Sequence, residues 1–177
     1  MPFKHKIRTR IDKPRILVID DEVQLAELLR AVLESAGLEV AVIYDAADAQ
    51  KAMQNFHPDI ILSDVCMPEM RGDELLATLK EEQMKTPVIF LTGIDRTHIS
   101  LDPEDENPYM ILYKPVPHEV LIRSIENALR LIEERMINAE LLRRLQEQDQ
   151  RSVSDISALA DELIDYAMNQ INNKRTA

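Results

Sequence analysis

Five short apolar runs, at residues 16–19, 40–43, 60–62, 88–91 and 110–112, alternate with amphipathic segments from residue 15 to about 128. Runs this short without internal alternation suit strands buried on both faces, and the helix-length segments between them suit crossovers. The pattern therefore predicts an α/β fold, a doubly wound parallel sheet of five strands. After the first run, Leu25, Leu28, Leu29, Val32 and Leu33 recur at helical spacing over residues 23–36, and Gly37 supplies a left-handed stop. A second helix is expected over 46–56, ended by Pro58, and a third over 73–82, with Pro87 introducing the fourth strand. Residues 95–108 hold five acidic side chains and two prolines, so a helix there should be short or absent.

Pro115 and Pro117 open a final helix that is longer than the sheet needs. Leu121, Ile125, Ala128 and Ile132 form a stripe able to cover the sheet, while Ile122, Ile125, Leu129, Ile132, Met136 and Ala139 step by three and four as in a coiled coil. Beyond Ala139 the register slips through Leu141, Leu142 and Leu145, and a long solvated helix fits that pattern equally. Ser152 and Ser154 can cap a last helix whose Ile156, Leu159, Ala160, Leu163, Ile164, Ala167 and Ile171 share one face. That stripe must fold back on the long helix, pair with another chain or dock on a partner. The expected organisation is a basic arm over 1–13, an α/β domain over 14–130 and a helical extension over 131–177.

Charge narrows the function classes. The 177 residues carry a formal charge of −11, with six basic and one acidic side chain in residues 1–15 and 20 acidic against seven basic in 16–118. An acidic body disfavours phosphate-backbone binding, and the basic start reads as a solvated arm. No run is apolar enough to span a bilayer, and the start lacks the apolar core of a signal peptide, so a cytoplasmic protein is expected. One cysteine, Cys66, excludes a disulfide framework, and His5, His57, His98 and His118 are too scattered for a metal-binding helix motif. Three glycines are too few for a dinucleotide or P-loop fingerprint.

In an open parallel sheet the chemistry collects at the carboxyl ends of the strands. There the sequence places Asp20, Asp21, Asp64, Thr92 and Lys114. Any one of these acids could merely cap a helix or end a strand. Three carboxylates at one rim repel by about 4 kcal/mol per close pair at an intermediate dielectric, so the set calls for a cation. Hard oxygen donors without histidine or thiolate favour Mg²⁺. A metal-bound carboxylate beside a lysine and a hydroxyl suits phosphoryl transfer, with Asp64 as nucleophile.

With LVIDDE ending the first strand, DVCMPEMRG carrying Asp64, Met67, Pro68 and Gly72, FLTG carrying Thr92, and the Lys114–Pro115 pair, the chain resembles the receiver domain of two-component response regulators over about residues 14–130. The resemblance implies that Asp64 accepts a phosphoryl group from the histidine of a kinase or phosphotransfer protein. It implies metal binding by Asp64, by Asp21 directly, by Asp20 largely through water and by the Cys66 carbonyl, with Thr92 and Lys114 on the phosphoryl oxygens. The Lys114–Pro115 bond is expected to be cis. The Cys66 and Ile94 side chains, at positions that line the path of hydrolytic water in the family, imply slow self-dephosphorylation.

Two features depart from the family. Ile111 stands where an aromatic switch residue is usual, flanked by Tyr109 and Tyr113, and the acidic stretch 95–108 alters the usual output face. The expectation is therefore a phosphoacceptor, not an enzyme, that signals through its helical extension by homodimerisation or partner binding. A long-helix link to a separate output enzyme is the alternative. DNA binding is disfavoured, since residues 119–177 hold eight basic and 11 acidic side chains and no basic recognition helix. A phosphotransfer helix pair fails because no histidine follows His118, which itself reads as a surface or capping residue.

Overall fold

Strand β1 (Arg15–Ile19) runs through the interior of the sheet, with Ile16, Leu17, Val18 and Ile19 all at or below 1% exposure. The structure, a computed structural model, describes residues 7, 9–65, 67, 72–81, 85–93, 109–147 and 163–169. Around β1 run α1 (Val23–Ser35), β2 (Glu39–Ile43), α2 (Ala49–Phe56), β3 (Ile60–Asp64), α3 (Gly72–Glu81), β4 (Val88–Thr92), β5 (Tyr109–Tyr113) and α4 (His118–Glu147). The strands pair in parallel in the order β2-β1-β3-β4-β5. This is the doubly wound five-stranded sheet that the apolar runs predicted, with its switch point between β1 and β3. Burial follows the order: β4 is buried along its length and β3 up to half-buried Asp64, whereas edge strand β2 is at most half-buried.

The chain divides into two compact units, residues 1–7 with 13–126 and residues 8–12 with 127–177. In the first, Leu17, Ile19, Ile61, Val88 and Phe90 of the sheet form a core with Met53 of α2 and Leu75, Leu76 and Leu79 of α3. Helix α1 stops where Gly37 takes φ +91°, with the Leu38 amide on the Leu33 carbonyl at 3.2 Å and the Gly37 amide on that of Glu34 at 3.0 Å. These two bonds satisfy carbonyls that the helix end would leave orphaned. The helix expected from residue 46 opens instead as a 3-10 turn, Ala46–Asp48, because the Asp45 carboxylate takes the Ala47 amide at 2.8 Å. It ends at His57, which takes a left-handed conformation because Pro58 disfavours the helical one.

The α1 stripe is narrower than its spacing implied. Ala26, Leu29 and Leu33 are buried, while Leu28 is 53% exposed. At 3.6 residues per turn, Leu25, Leu28 and Val32 sit about a quarter turn from the buried row.

In the second unit, residues 127–147 of α4 carry buried Ala128, Leu129 and Glu140, and the apolar stripe fades to half-buried Ile132 and Met136 and exposed Ala139. The basic arm is not wholly solvated. The Thr9 hydroxyl and the Arg10 amide both donate to Glu133 Oε1, at 2.5 and 2.7 Å, and Ile11 is 3% exposed. A hydroxyl and an apolar side chain among the basic residues account for the anchoring. A short helix over residues 163–169 buries Leu163 and Ala167, and both Arg143 and Arg144 lie over the Tyr166 ring. Arg143 forks onto both oxygens of Glu140 at 2.8 Å, and Arg144 adds a third bond at 2.8 Å. The expectations for Ser152, Ser154, Ile156, Leu159, Ala160 and Ile171, for 95–108, and for most of the basic arm fall outside the described residues. Among those described, no helix is long and apolar enough to cross a membrane.

Two outcomes check this packing. Leu33→Ala should cost about 2–5 kcal/mol in urea unfolding, while Leu28→Ala should cost well under ~1 kcal/mol. The hydrogen bond from Arg143, opposed by burial and reinforced by Arg144, lowers the Glu140 carboxyl from 4.5 to about 2. A depressed carboxyl stabilises above its unfolded value and loses that contribution as pH falls through the folded one. Protection of residues 163–169 from amide exchange should therefore fall between about pH 4.5 and 2 in the wild type, and be low throughout in Glu140→Ala.

Candidate functional site

Parallel pairing brings one strand end after another to the same rim. Ile19 of β1 is in register with Ser63 of β3, Asp64 of β3 with Leu91 of β4, and Thr92 of β4 with Tyr113 of β5. Asp20, Asp64, Thr92 and Lys114 are thus the last residues of these strands or the first beyond them. Asp20 is 1% exposed, Thr92 is fully buried, Asp64 is half-buried and Asp21 is exposed.

The Lys114 ammonium joins them. Its Nζ donates to Asp64 Oδ2 at 2.6 Å and to Asp20 Oδ2 at 3.2 Å. The other Asp20 oxygen takes the Glu22 amide at 2.9 Å, which fixes the carboxylate at the entry to α1. The Lys114 amide donates to the Thr92 carbonyl at 2.7 Å, and the Lys114–Pro115 bond is cis, as the resemblance implied. Burial would lower the Lys114 pKa, but the hydrogen bond and charge of Asp64, followed by those of Asp20, outweigh it and hold the ammonium above its ordinary value.

The set is one of oxygen donors and a cation. A hard divalent ion such as Mg²⁺ fits the chemistry of Asp20, Asp21 and Asp64, two of which already gather round one positive charge. Among the described residues no three histidine, cysteine, aspartate or glutamate side chains form a ready cage, so the structure gathers Asp20 and Asp64 round Lys114 but does not bring Asp21 into the same cluster. Cys66, Pro68 and Ile94 lie outside the described residues. Ile111 is half-buried against the sheet core and Tyr113 is 49% exposed. His118 is exposed at the first position of α4, where a surface or capping residue was expected.

One feature escaped the sequence reading. Leu25, Leu28 and Val32 of α1, with Leu91, Lys114, Pro115, Val116 and Leu121, line a groove of about 460 Å³. Helical spacing alone does not separate an apolar residue facing the core from one facing a groove beside it. The signal was the width of the stripe, five apolar residues of which α1 buries two, Leu29 and Leu33.

A family model described as the response regulator receiver domain matches residues 16–126. The C4-dicarboxylate transport transcriptional regulatory protein DctD of Pseudomonas aeruginosa is 35% identical over 117 residues, covering 66% of this chain and 25% of that protein. The DNA-binding response regulator MtrA of Mycobacterium tuberculosis is 33% identical over 119 residues, covering 67% of this chain and 51% of its own. The chain thus spans between a quarter and about half the length of these two relatives. A CheY-like receiver domain structure from Methanospirillum hungatei superposes with a TM-score of 0.63 at 26% identity, covering 69% of this chain and 98% of that one.

The raised Lys114 pKa gives the pair a pH signature. A lysine raised on folding stabilises fully below its unfolded value, near 10.5, and loses that contribution as pH rises through the folded value above it. The difference in urea midpoint between wild type and Lys114→Met should be constant from pH 7 to 9 and change progressively above about pH 10.5. A difference that is flat to pH 12 would mean that the ammonium gains nothing from the two carboxylates.

Proposed function

The chain belongs to the response regulator receiver family, and from that premise we propose that it is a phosphorylation-controlled switch whose output element is its helical extension. Asp64 takes a phosphoryl group from the histidine of a kinase or phosphotransfer protein, and the extension responds by pairing with a second copy or with a partner. The observation that carries the reading is the Lys114 ammonium, bonded to Asp64 and Asp20 together at the carboxyl ends of the strands.

The chemistry follows from that arrangement. An Asp64 carboxylate oxygen attacks phosphorus, an O–P bond forms, and the N–P bond to the donor imidazole breaks. Lys114, already against Asp64, meets the negative charge of the transferred group, and Thr92 at the end of β4 supplies a hydroxyl to another of its oxygens. Receiver domains generally bind Mg²⁺, and here Asp20, Asp21, Asp64 and the Cys66 carbonyl would hold an ion that neutralises phosphoryl charge. A donor presenting its histidine to Asp64 must rest on the surface around the rim, and the apolar groove lined by Leu25, Leu28 and Lys114 is suited to receive one of its helices. Domain limits of 14–130 for the receiver and 131–177 for the extension go with this reading.

Relatives named as DNA-binding are matched over about half their length, and the excess of acidic over basic side chains in residues 119–177 argues against DNA reading by the helical extension. A link through α4 to a separate output enzyme is the second reading, favoured by the 30-residue length of that helix.

The test is phosphorylation of the purified chain by acetyl phosphate with Mg²⁺, followed by intact mass. Wild type should gain one phosphoryl group and Asp64→Asn none; a gain that survives the substitution would place the acceptor elsewhere. Sedimentation equilibrium with beryllium fluoride then reads the output, with a mass shift in wild type that Asp64→Asn abolishes. An unchanged monomer would direct the output reading to a heterologous partner.

A further inference from the structure

The arm contact in the second unit has the make of a catch. One carboxylate oxygen of Glu133 receives two donors from consecutive residues, the Thr9 hydroxyl at 2.5 Å and the Arg10 amide at 2.7 Å. The same hydroxyl accepts the Ile11 amide at 3.1 Å, which folds the arm into a tight turn, and Ile11 is 3% exposed. Hydrogen bonds to an ionised acceptor are about twice as strong as neutral ones, and two on one oxygen with a buried apolar anchor hold more than a surface ion pair does.

The place of the contact on α4 matters as much as its strength. Glu133 follows Leu129 by four residues and precedes Met136 by three, so it lies on the stripe of Leu129, Ile132 and Met136 that resembled a coiled-coil seam. Leu129 is fully buried and Ile132 and Met136 are half-buried in the single chain. Glu140, one heptad further on the same side, is taken by Arg143 and Arg144 beneath Tyr166. The side of α4 with the best apolar spacing thus carries the arm at Glu133 and the two arginines at Glu140, and the large apolar residues left exposed on this part of α4 are Leu131, Leu142 and Leu145.

We propose that residues 9–12 are an autoinhibitory latch, which closes the Leu129–Met136 face of α4 until the arm leaves Glu133 and the face becomes free to pair with a helix of a second copy. This deepens the reading of the extension as output element and rests on it. The arm is suited to the task because it is short and carries both the hydroxyl and the apolar anchor within three residues.

The experiment uses the full chain with Thr9→Val and Glu133→Ala, neither of which removes a core side chain, and reads amide exchange of residues 127–141 together with sedimentation equilibrium. Loss of the two bonds should speed exchange there by about tenfold or more and lower the concentration at which the chain self-associates by a similar factor. A second variant lacking residues 1–12 should give the same two changes. Unchanged exchange in all three would overturn the latch. Faster exchange with unchanged association would uphold the strap on α4 and overturn the dimer reading on which the inference rests.

Discussion

Two carboxylates share the rim of this sheet because one ammonium sits between them. Asp20 is buried almost completely, and a buried charge without a partner is costly. Lys114 supplies that partner and bonds Asp64 with the same nitrogen, from positions 94 and 50 residues away in the chain. The strand order makes this possible, since β1 and β3 are neighbours and their carboxyl ends bring both acids within reach of one side chain. The dense apolar core on one face of the sheet holds the strand ends in place, and through them the charges.

Helix α4 serves two units without a break in its hydrogen bonding. Its first part buries Leu121, Ile122 and Ile125 completely or nearly so. Its second part has less apolar surface to bury, and two glutamates one heptad apart each gather donors, Glu133 from the arm and Glu140 from the two arginines. Polar fixing of this kind is weaker per contact than core packing and is reversible, which suits a segment expected to change partners.

Much of the first unit was legible because parallel strands buried on both faces leave short, dense apolar runs. The five runs match the five strands closely, and Gly37 marks the end of α1 through the left-handed conformation that it alone adopts without strain. Less legible were features set by neighbours. Leu28 has the spacing of a core residue and lies half open to solvent, because burial depends on what stands opposite the helix. The arm reads as charge, yet at Glu133 it is held by the Thr9 hydroxyl and the Arg10 backbone amide rather than by a basic side chain, and Ile11 is buried.

The sequence by itself determined the fold class, the strand ends and the chemical kinds gathered there, since periodicity and residue type are local properties that the backbone must honour. It placed Asp20, Asp64, Thr92 and Lys114 each at its own strand end. Only the tertiary structure decided that Lys114 bridges Asp64 and Asp20, that α1 leaves a groove beside that lysine, and that Thr9 reaches Glu133. Those contacts join residues dozens of positions apart, and the geometry that brings them within 3 Å or so exists only once the sheet has twisted and the helices have packed.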